Sequence, residues 1–349
     1  MGNSGTSPSS PASGWREEFG LMDGLEISIV MISCNRAASA AAAARSLMEQ
    51  VVDPRWPFEL VVVDDGSSDG TSAVLAGLAS NSPVPFRLLH TDGIGVPSAR
   101  NLGARSARGR WIASFDDDQI AEKDWLQQLR AAAEASGARC IGGALKLALP
   151  ANASPLGPRA RAILGEHLPC DQPGIYPADE WPASNNALVE RQLLMDVGGF
   201  DDSFIYGGSD TDLFVRIHEA GNQLWFAPLA IGHHVIPPHR LEGSYFRWTG
   251  LKVGATWARI LMKQHRPWAL GGFVALRLAT LLLRDLPAVT VARLIGNRVQ
   301  KLESQCSLWF TEGLVRSLLA NWKPGFMRGA EFLASLDFRQ HHGERPRNR

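Results

Sequence analysis

The sequence predicts an α/β protein with a Rossmann-like, mostly parallel sheet flanked by helices, followed by a C-terminal helical region. Over the first two thirds of the chain, short apolar runs typical of buried strands alternate with helical segments, with about 30 residues per strand-helix unit. Several of these runs end in carboxylates, at the edge where open α/β sheets bind ligands. The last third is rich in Trp, Leu and basic residues, which indicates a different, helical part of the molecule.

Composition indicates a globular protein with a sizeable core. The chain has 349 residues, of which 45% are hydrophobic and 20% are charged, the ordinary balance of a folded domain. The four cysteines are far apart and form no C-x-x-C pair, which favours reduced thiols in the cytoplasm over a disulfide framework or a zinc site. They are Cys34, Cys140, Cys170 and Cys306.

Four segments are expected along the chain. Residues 1–24 are predicted to be a disordered leader, because Ser, Gly and Pro dominate the first residues and no apolar signal-peptide core is present. Residues 25–240 form the predicted catalytic domain. Residues 241–335 form a basic amphipathic helical region, and residues 336–349 form a basic tail.

The predicted elements of the first half follow in regular order. Strands are expected at 27–32, 58–63, 86–90 and 111–115, and helices at 37–50, 71–79, after Gly95 and at 124–136. Right-handed crossovers bring the carboxyl ends of parallel strands to one edge of the sheet. Ile32 and Asp65 should therefore lie close together.

The second half is less regular. A strand is expected at 138–149, and a Pro/Gly-rich irregular excursion at 150–182. Further elements are a helix at 191–197, a helix at 211–220 that Asp210 would cap, and a strand from Leu224 that runs into His233 and His234. These elements complete one domain that ends near residue 240.

The stretch Trp111–Gln119 is the strongest indication of chemistry. Its apolar strand ends in Asp116, Asp117 and Asp118, and three adjacent carboxylates raise each other's pKa unless a cation neutralises them. Oxygen ligands suit Mg²⁺ or Mn²⁺, which also binds substrate phosphate. The alternative from these residues alone is an acidic, solvated turn.

Several motifs together resemble the family 2 glycosyltransferases, which have the GT-A fold. These motifs are SIVMISCNR, VVVDDGSSDGT, PSARNLGARSARGRWIASFDDD, GGFDDSFIYGGSDTDLFVRIHEAG and GHHV, in that order between residue 27 and about residue 240. The resemblance implies metal-dependent transfer of a sugar from a nucleotide-diphosphate donor to an acceptor hydroxyl, with inversion at the sugar carbon. Mn²⁺ or Mg²⁺ would be the cofactor, and the product a polysaccharide or glycolipid.

The resemblance assigns the donor side. Asp65 would accept a hydrogen bond from the nucleobase, with Ser33 bordering the same base, and Arg100 would face the diphosphate. Asp116 and Asp118 match the family's D-x-D motif. Asp118 is the expected metal ligand, while Asp116 or Asp117 would bind the ribose or a metal-bound water.

The resemblance also assigns the acceptor side. Asp210 would be the general base, with Asp212 as the alternative, although Ser209 stands where the family has Glu. His234 would be a third metal ligand, the alternative being a structural histidine. Trp181, Asn185 and Asn186 would line the acceptor site by analogy. Two other functions remain open, a nucleotidyltransferase with the same sheet and an inactive nucleotide-sugar-binding protein.

The C-terminal region predicts contact with an anionic membrane. From Arg240 onward there are 18 Lys and Arg against 7 Asp and Glu, interspersed with apolar helix rather than clustered, which favours a membrane surface over nucleic acid. The segment 267–283 is too short and polar for a transmembrane helix. The expected location is the cytoplasm, peripheral at the inner face of the membrane, with a saccharide or lipid-linked acceptor. The alternative is a helical subdomain or an oligomer interface.

Overall fold

The structure, a computed structural model, describes residues 24–178, 180–204, 207–263, 267–322 and 333. The predicted tail at 336–349 and all but the last residue of the predicted leader lie outside these residues.

One sheet runs through the catalytic domain. Within the described residues it has nine strands, β1 Ile27–Ser33, β2 Phe58–Asp65, β3 Phe86–Thr91, β4 Trp111–Asp116, β5 Gln119–Ala121, β6 Cys140–Ala148, β7 Gly174–Ile175, β8 Asn186–Glu190 and β9 Leu224–Val235. Their order across the sheet is β3-β2-β1-β4-β8-β6-β9-β5, and β7 pairs with β9. This is the predicted α/β architecture.

The sheet is mixed and mostly parallel, as predicted. Strands β1 to β4 form a parallel half, and β6 is parallel to β9. Strand β8, which lies directly before the predicted helix at 191–197, was not predicted. It runs antiparallel between β4 and β6. The short β5 was also missed, because its three residues are too few to carry a period-two pattern; it pairs antiparallel with β9.

Helices cover both faces of the sheet. Those of the catalytic domain are α1 Ala37–Met48, α2 Thr71–Ser80, α3 Val96–Ser106, α4 Trp125–Ser136, α5 Pro158–Ile163, α6 Arg191–Asp196 and α7 Ser209–Glu219. Alternating residues of β1 show the two layers, since Ile29 and Met31 pack in the core with α1 and α4, while Val30 packs on the opposite side with α3, α6 and α7. The sheet is therefore buried on both faces.

The C-terminal helices are α8 Gly243–Lys263, α9 Pro267–Thr280, α10 Leu286–Leu294 and α11 Arg298–Trp322, with a π-helical turn at Leu281–Asp285 between α9 and α10. Helices α8 and α11 approach closely because Gly254 and Gly313 face the partner backbone, where a Cβ atom would clash. None of the described helices combines the length and the hydropathy needed to cross a bilayer.

Candidate active site

The acidic turn lies where two strand ends meet. Ile32 at the end of β1 is in register with Asp116 at the end of β4. Directly after the turn, Gln119 of β5 pairs with His234 of β9, and the Val235 amide donates to the Asp118 carbonyl at 2.9 Å. This pairing brings Asp118 beside His234, although 116 residues separate them in the chain.

Asp118 is surrounded by cationic and imidazole groups. Its Oδ2 accepts from Arg36 Nη1 at 2.8 Å and from Arg240 Nη1 at 3.0 Å, and it lies 3.4 Å from His234 Nε2. Burial by itself would raise the pKa of Asp118, but His234, Arg36 and Arg240 hold it well below the ordinary value. Asp118 is therefore a carboxylate over the whole physiological pH range.

Asp117 has a different environment. It accepts from Ser33 Oγ at 2.7 Å and from Arg36 Nη1 at 2.9 Å. Burial raises its pKa, Arg36 opposes the increase and the charge of Asp118 adds to it. Ser33 is itself buried with its hydroxyl on Asp117, so it orients this carboxylate, and the prediction that it borders a nucleobase finds no support in the cavity lining.

The predicted three-ligand metal set of Asp116, Asp118 and His234 is not assembled in this arrangement. Asp116 pairs with Arg100 Nη2 at 2.8 Å, and the Arg100 guanidinium lies over the Phe200 ring. Within the described part of the chain, no three His, Cys, Asp or Glu side chains are grouped so as to hold a metal ion. The physical reason is that guanidinium groups neutralise the carboxylates that were predicted to bind a metal.

Asp118 and His234 nevertheless suit a divalent cation. His234 Nδ1 lies 2.7 Å from the Leu164 carbonyl, so Nε2 is the ring atom that faces Asp118 and would bind a cation. The 3.4 Å between the two ligand atoms is close to the roughly 3 Å expected for adjacent ligands of an octahedral ion. His233, the other histidine considered, points away and lies 2.9 Å from Glu122.

A cavity of about 210 Å³ opens above this cluster. It contains the three aspartates and His234, together with four cationic side chains. Its lining is Ile32, Cys34, Arg36, Arg100, Asp116, Asp117, Asp118, Asn185, His234, Arg240, Tyr245, Trp248 and Lys252. Arg36 was not among the predicted site residues, although its place in the short turn after β1 is a usable signal. Tyr245, Trp248 and Lys252 come from α8, and no sequence pattern indicated them.

A second cavity of about 460 Å³ adjoins the first. The two share Arg100, Asn185 and Lys252 in their linings. The second cavity also contains Asp210 and His167, as well as residues of α8. The predicted boundary at residue 240 therefore divides the site, because α8 contributes to both cavities.

Asp210 lies in the first turn of α7 and not at its N-cap, so the predicted capping role is wrong. The helix begins at Ser209, and the N-cap is Gly208 with a φ of 90°, a conformation that favours glycine. Asp210 Oδ1 accepts from the adjacent Thr211 amide, at 2.9 Å. The alternative base, Asp212, is buried against Arg216 and Lys263 and does not line the cavity.

Asp65 accepts hydrogen bonds from the neighbouring strand and the loop that follows it. Its Oδ1 accepts from Thr91 Oγ1 at 2.6 Å and from the Ile94 amide at 2.7 Å, and its Oδ2 accepts from the Gly95 amide at 3.0 Å. The carboxylate thus holds the loop between β3 and α3, next to the end of β1 as expected. It lines neither cavity, and contact with a nucleobase stays a prediction.

The three predicted acceptor residues have different environments. Asn185 lines both cavities, and its buried Oδ1 has no hydrogen-bond partner among the residues that the structure describes. Trp181 packs against His218 on α7, outside both cavities. Asn186 was wrongly assigned, because it is fully buried, accepts from Trp125 Nε1 at 2.7 Å, and donates to the carbonyls of Ala144 and Ala230.

Replacing Asn186 with Ala is expected to lower the free energy of unfolding by about 3 kcal/mol, because three buried polar groups lose their partner. Urea denaturation measures the change. Asn185→Ala is the matched control and should cost far less stability, since within the described part of the chain the Asn185 Oδ1 makes no hydrogen bond. Equal losses in the two variants would contradict the assignment of Asn186 to the structural core.

His167, which the sequence analysis did not single out, lies in the second cavity beside Asp210 and stacks on Tyr176. Burial lowers the pKa of His167 from 6.5 to about 4, and Asp210 opposes this decrease. The folded protein therefore keeps this imidazole neutral at physiological pH, with its Nε2 at 3.3 Å from the Tyr176 hydroxyl.

Stability is expected to fall as the pH decreases from 6.5 to 4, because over this range the unfolded chain protonates His167 and the folded chain does not. The loss should approach about 3 kcal/mol, at about 1.4 kcal/mol per pKa unit. Urea denaturation of the wild type and of His167→Gln at several pH values measures it. A variant with the same pH slope as the wild type would contradict the neutral state of the half-buried His167 in the folded protein.

Comparison with known proteins finds a family that matches part of the chain. Residues 28–153 match the family model of Glycosyl transferase family 2. The chain is 27% identical over 233 residues to the succinoglycan biosynthesis protein ExoM of Rhizobium meliloti (strain 1021), a match that covers 66% of this chain and 73% of ExoM. The chain is therefore similar to the family 2 glycosyltransferases. It is a transferase related to proteins of polysaccharide biosynthesis.

Solved structures agree with the fold of this glycosyltransferase. The mannosyltransferase PcManGT from Pyrobaculum calidifontis, in complex with GDP-Man and Mn²⁺, has a TM-score of 0.57 at 18% identity and covers 88% of this chain and 92% of its own. GalNAc-T7 with UDP, GalNAc and Mn²⁺ has a TM-score of 0.52 at 19% identity over 69% of this chain; the match spans about half, 48%, of GalNAc-T7. The enzyme therefore has the GT-A fold.

Proposed function

We propose that this enzyme transfers a sugar from a nucleotide-diphosphate donor to a hydroxyl of a saccharide or lipid-linked acceptor, with inversion at the sugar carbon and with a divalent cation. The observation that carries the proposal is the pair of adjoining cavities. One contains clustered carboxylates and cations, the other contains Asp210, and they meet at Arg100, Asn185 and Lys252. A donor in the first would present its sugar to an acceptor in the second.

The first cavity suits a diphosphate. Arg36, Arg100, Arg240 and Lys252 place four positive charges on its wall, and guanidinium groups bind phosphate oxygens with two parallel hydrogen bonds. Arg36 and Arg240 contact Asp118 in the structure. We infer that they exchange this carboxylate for phosphate oxygens when the donor binds.

Asp118 and His234 are the residues that would hold Mn²⁺ or Mg²⁺. The bound cation would neutralise the charge that builds on the departing nucleoside diphosphate. Both solved relatives described above contain Mn²⁺ with a nucleotide or nucleotide sugar, which supports this choice. Asp116, held by Arg100, would contact the ribose or a cation-bound water.

Asp210 is the proposed general base. It takes the proton from the acceptor hydroxyl while the acceptor oxygen forms a bond to the anomeric carbon, and the bond from that carbon to the diphosphate oxygen breaks. A single displacement of this kind inverts the anomeric configuration. Asn185, with its buried unpaired Oδ1, is positioned to accept a hydrogen bond from a sugar hydroxyl.

The base of the donor is proposed to lie near the loop that Asp65 holds. The acceptor is expected at the inner face of the membrane, because the basic helices would hold the enzyme against anionic lipid. A lipid-linked or growing polysaccharide acceptor would be found there.

A panel of nucleotide sugars incubated with the enzyme and Mn²⁺ tests the proposal, with release of nucleoside diphosphate as the measurement. We expect one donor to be turned over, EDTA to stop the release, and the product to have the inverted configuration. Pyrophosphate release from a nucleoside triphosphate and a sugar phosphate would indicate a nucleotidyltransferase instead. Tight donor binding without turnover for any acceptor would indicate the inactive binding protein.

A further inference from the structure

The segment from α9 through the π-helical turn to the end of α10 exposes an unusual amount of apolar surface. Leu283 and Leu294 are each 82% exposed, and Leu276 is 66% exposed. Among the α9 side chains that the structure describes, none is buried. Exposed apolar surface on this scale marks an interaction site in a soluble domain. We call it the leucine face, which consists of Leu276, Leu282, Leu283, Leu286, Val291, Leu294 and Ile295.

The leucine face follows three consecutive helical elements. Leu276 lies on α9, Leu283 on the π-helical turn and Leu294 on α10. Helix α10 packs on α11, and its Val289 and Ala292 are buried while the residues of the leucine face are exposed. One side of the segment therefore packs against the protein, and the other side is exposed to solvent.

Basic residues predominate in the segment that carries the leucine face. Residues 267–302 contain five basic residues and one acidic residue, Asp285, and one of the five, Arg277, points inward to Ser307 and Thr311. Asp285 is 1% exposed and bonded to Arg284 and Ser307, so it contributes little negative charge to the surface. Arg284, Arg298 and Lys301 are exposed. An apolar face with a basic rim is complementary to the interface of an anionic bilayer.

We infer that the leucine face docks on an anionic membrane, with its leucines among the acyl chains and its basic residues at the lipid phosphates. The inference deepens the proposed function, since it names the surface by which the enzyme reaches a membrane-bound acceptor. A second copy of the chain is a weaker occupant, because a symmetric contact places the same basic rim on both sides.

The leucine face is connected to the acceptor cavity through packed helices. Helix α10 packs on α11, and α11 packs along α8, whose Lys252, Thr256 and Trp257 line that cavity. Docking would therefore bring the mouth of the acceptor site to a set height over the lipid surface. This arrangement suits an acceptor that is itself held in the membrane.

Co-sedimentation of the full chain with vesicles tests the inference without donor or cation. The vesicles are phosphatidylcholine alone and phosphatidylcholine with phosphatidylglycerol, each at low and high salt. We expect binding to the anionic vesicles, weakened by salt, and reduced about tenfold or more in the double variant Leu283→Glu, Leu294→Glu. Val51→Glu, at a 65% exposed residue elsewhere, is the control and should bind as the wild type.

Absence of vesicle binding, or equal binding by the double variant, would overturn the inference. Light scattering on the same samples tests whether the leucine face binds a second copy of the chain instead of a membrane. A wild-type dimer that becomes a monomer in the double variant, without vesicle binding, would assign the leucine face to self-association. Because no sugar transfer is involved, an enzyme that binds vesicles but turns over no donor would contradict the proposed function and leave this inference intact.

Discussion

Replacing Asp118 with Asn is expected to abolish sugar transfer and to weaken divalent cation binding, while the protein stays folded. The variant removes the carboxylate that faces His234 Nε2 at 3.4 Å, and a neutral amide is a poor ligand for Mg²⁺ or Mn²⁺. The measurements are nucleoside diphosphate release and calorimetric titration of Mn²⁺ in the presence of the nucleoside diphosphate.

The stability of the Asp118→Asn variant separates a functional loss from unfolding. Asn can still accept from Arg36 and Arg240, so we expect the free energy of unfolding to fall by only about 2 kcal/mol. Glu122→Gln is the matched control. Glu122 contacts His233, the neighbour of His234 on β9, and it lines neither cavity. Unchanged Mn²⁺ affinity and turnover in Asp118→Asn would contradict the proposal that Asp118 is a cation ligand.

Replacing Asp210 with Asn is expected to lower kcat by about a thousandfold, within the usual contribution of a positioned general base. The KM for the donor should change little, because Asp210 lines the second cavity and not the first. Steady-state kinetics with the donor identified by the panel measure both constants. Stability should be almost unaffected, since the Asp210 carboxylate accepts from the adjacent Thr211 amide, a local contact that Asn can also make.

Asp212→Asn on the same helix is the comparison for Asp210→Asn. Asp212 is bonded to Arg216 at 2.9 Å and to Lys263 at 2.6 Å, so this variant should lose stability and leave the chemical step largely intact. If Asp212→Asn instead abolished turnover in a folded protein while Asp210→Asn did not, the base would be Asp212.

The sequence predicted the strands well because their apolar runs are long and end at charged or glycine-rich turns. It missed β8 for a physical reason. Asn186 and Ala187 begin that strand, and neither indicates a buried strand by itself. Asn186 is there because its side chain satisfies two carbonyls and an indole from other elements, partners that lie 42 to 61 residues away.

At the acidic turn, too, the sequence predicted some of the site residues and missed others. Carboxylates at the end of β4 and at the start of α7 were visible as candidates from their motifs alone, and so was the family resemblance. The arginines that neutralise the turn were not, because Arg36 and Arg240 are distant in sequence and arginines are usually solvated. Their pairing with Asp117 and Asp118 depends on how β1, β9 and the turn before α8 meet.

The sequence by itself determined the α/β class, the order of the main strands and helices, the resemblance to a family and the carboxylates on which the proposed chemistry rests, because these follow from local periodicity and from motifs a few residues long. Only the tertiary structure decided which side chains surround those carboxylates. It placed α8 in both cavities, buried Asn186 in the sheet and Asp212 against Arg216 and Lys263, and left the leucine face exposed. Burial and charge pairing arise from contacts between distant segments, and no local pattern encodes them.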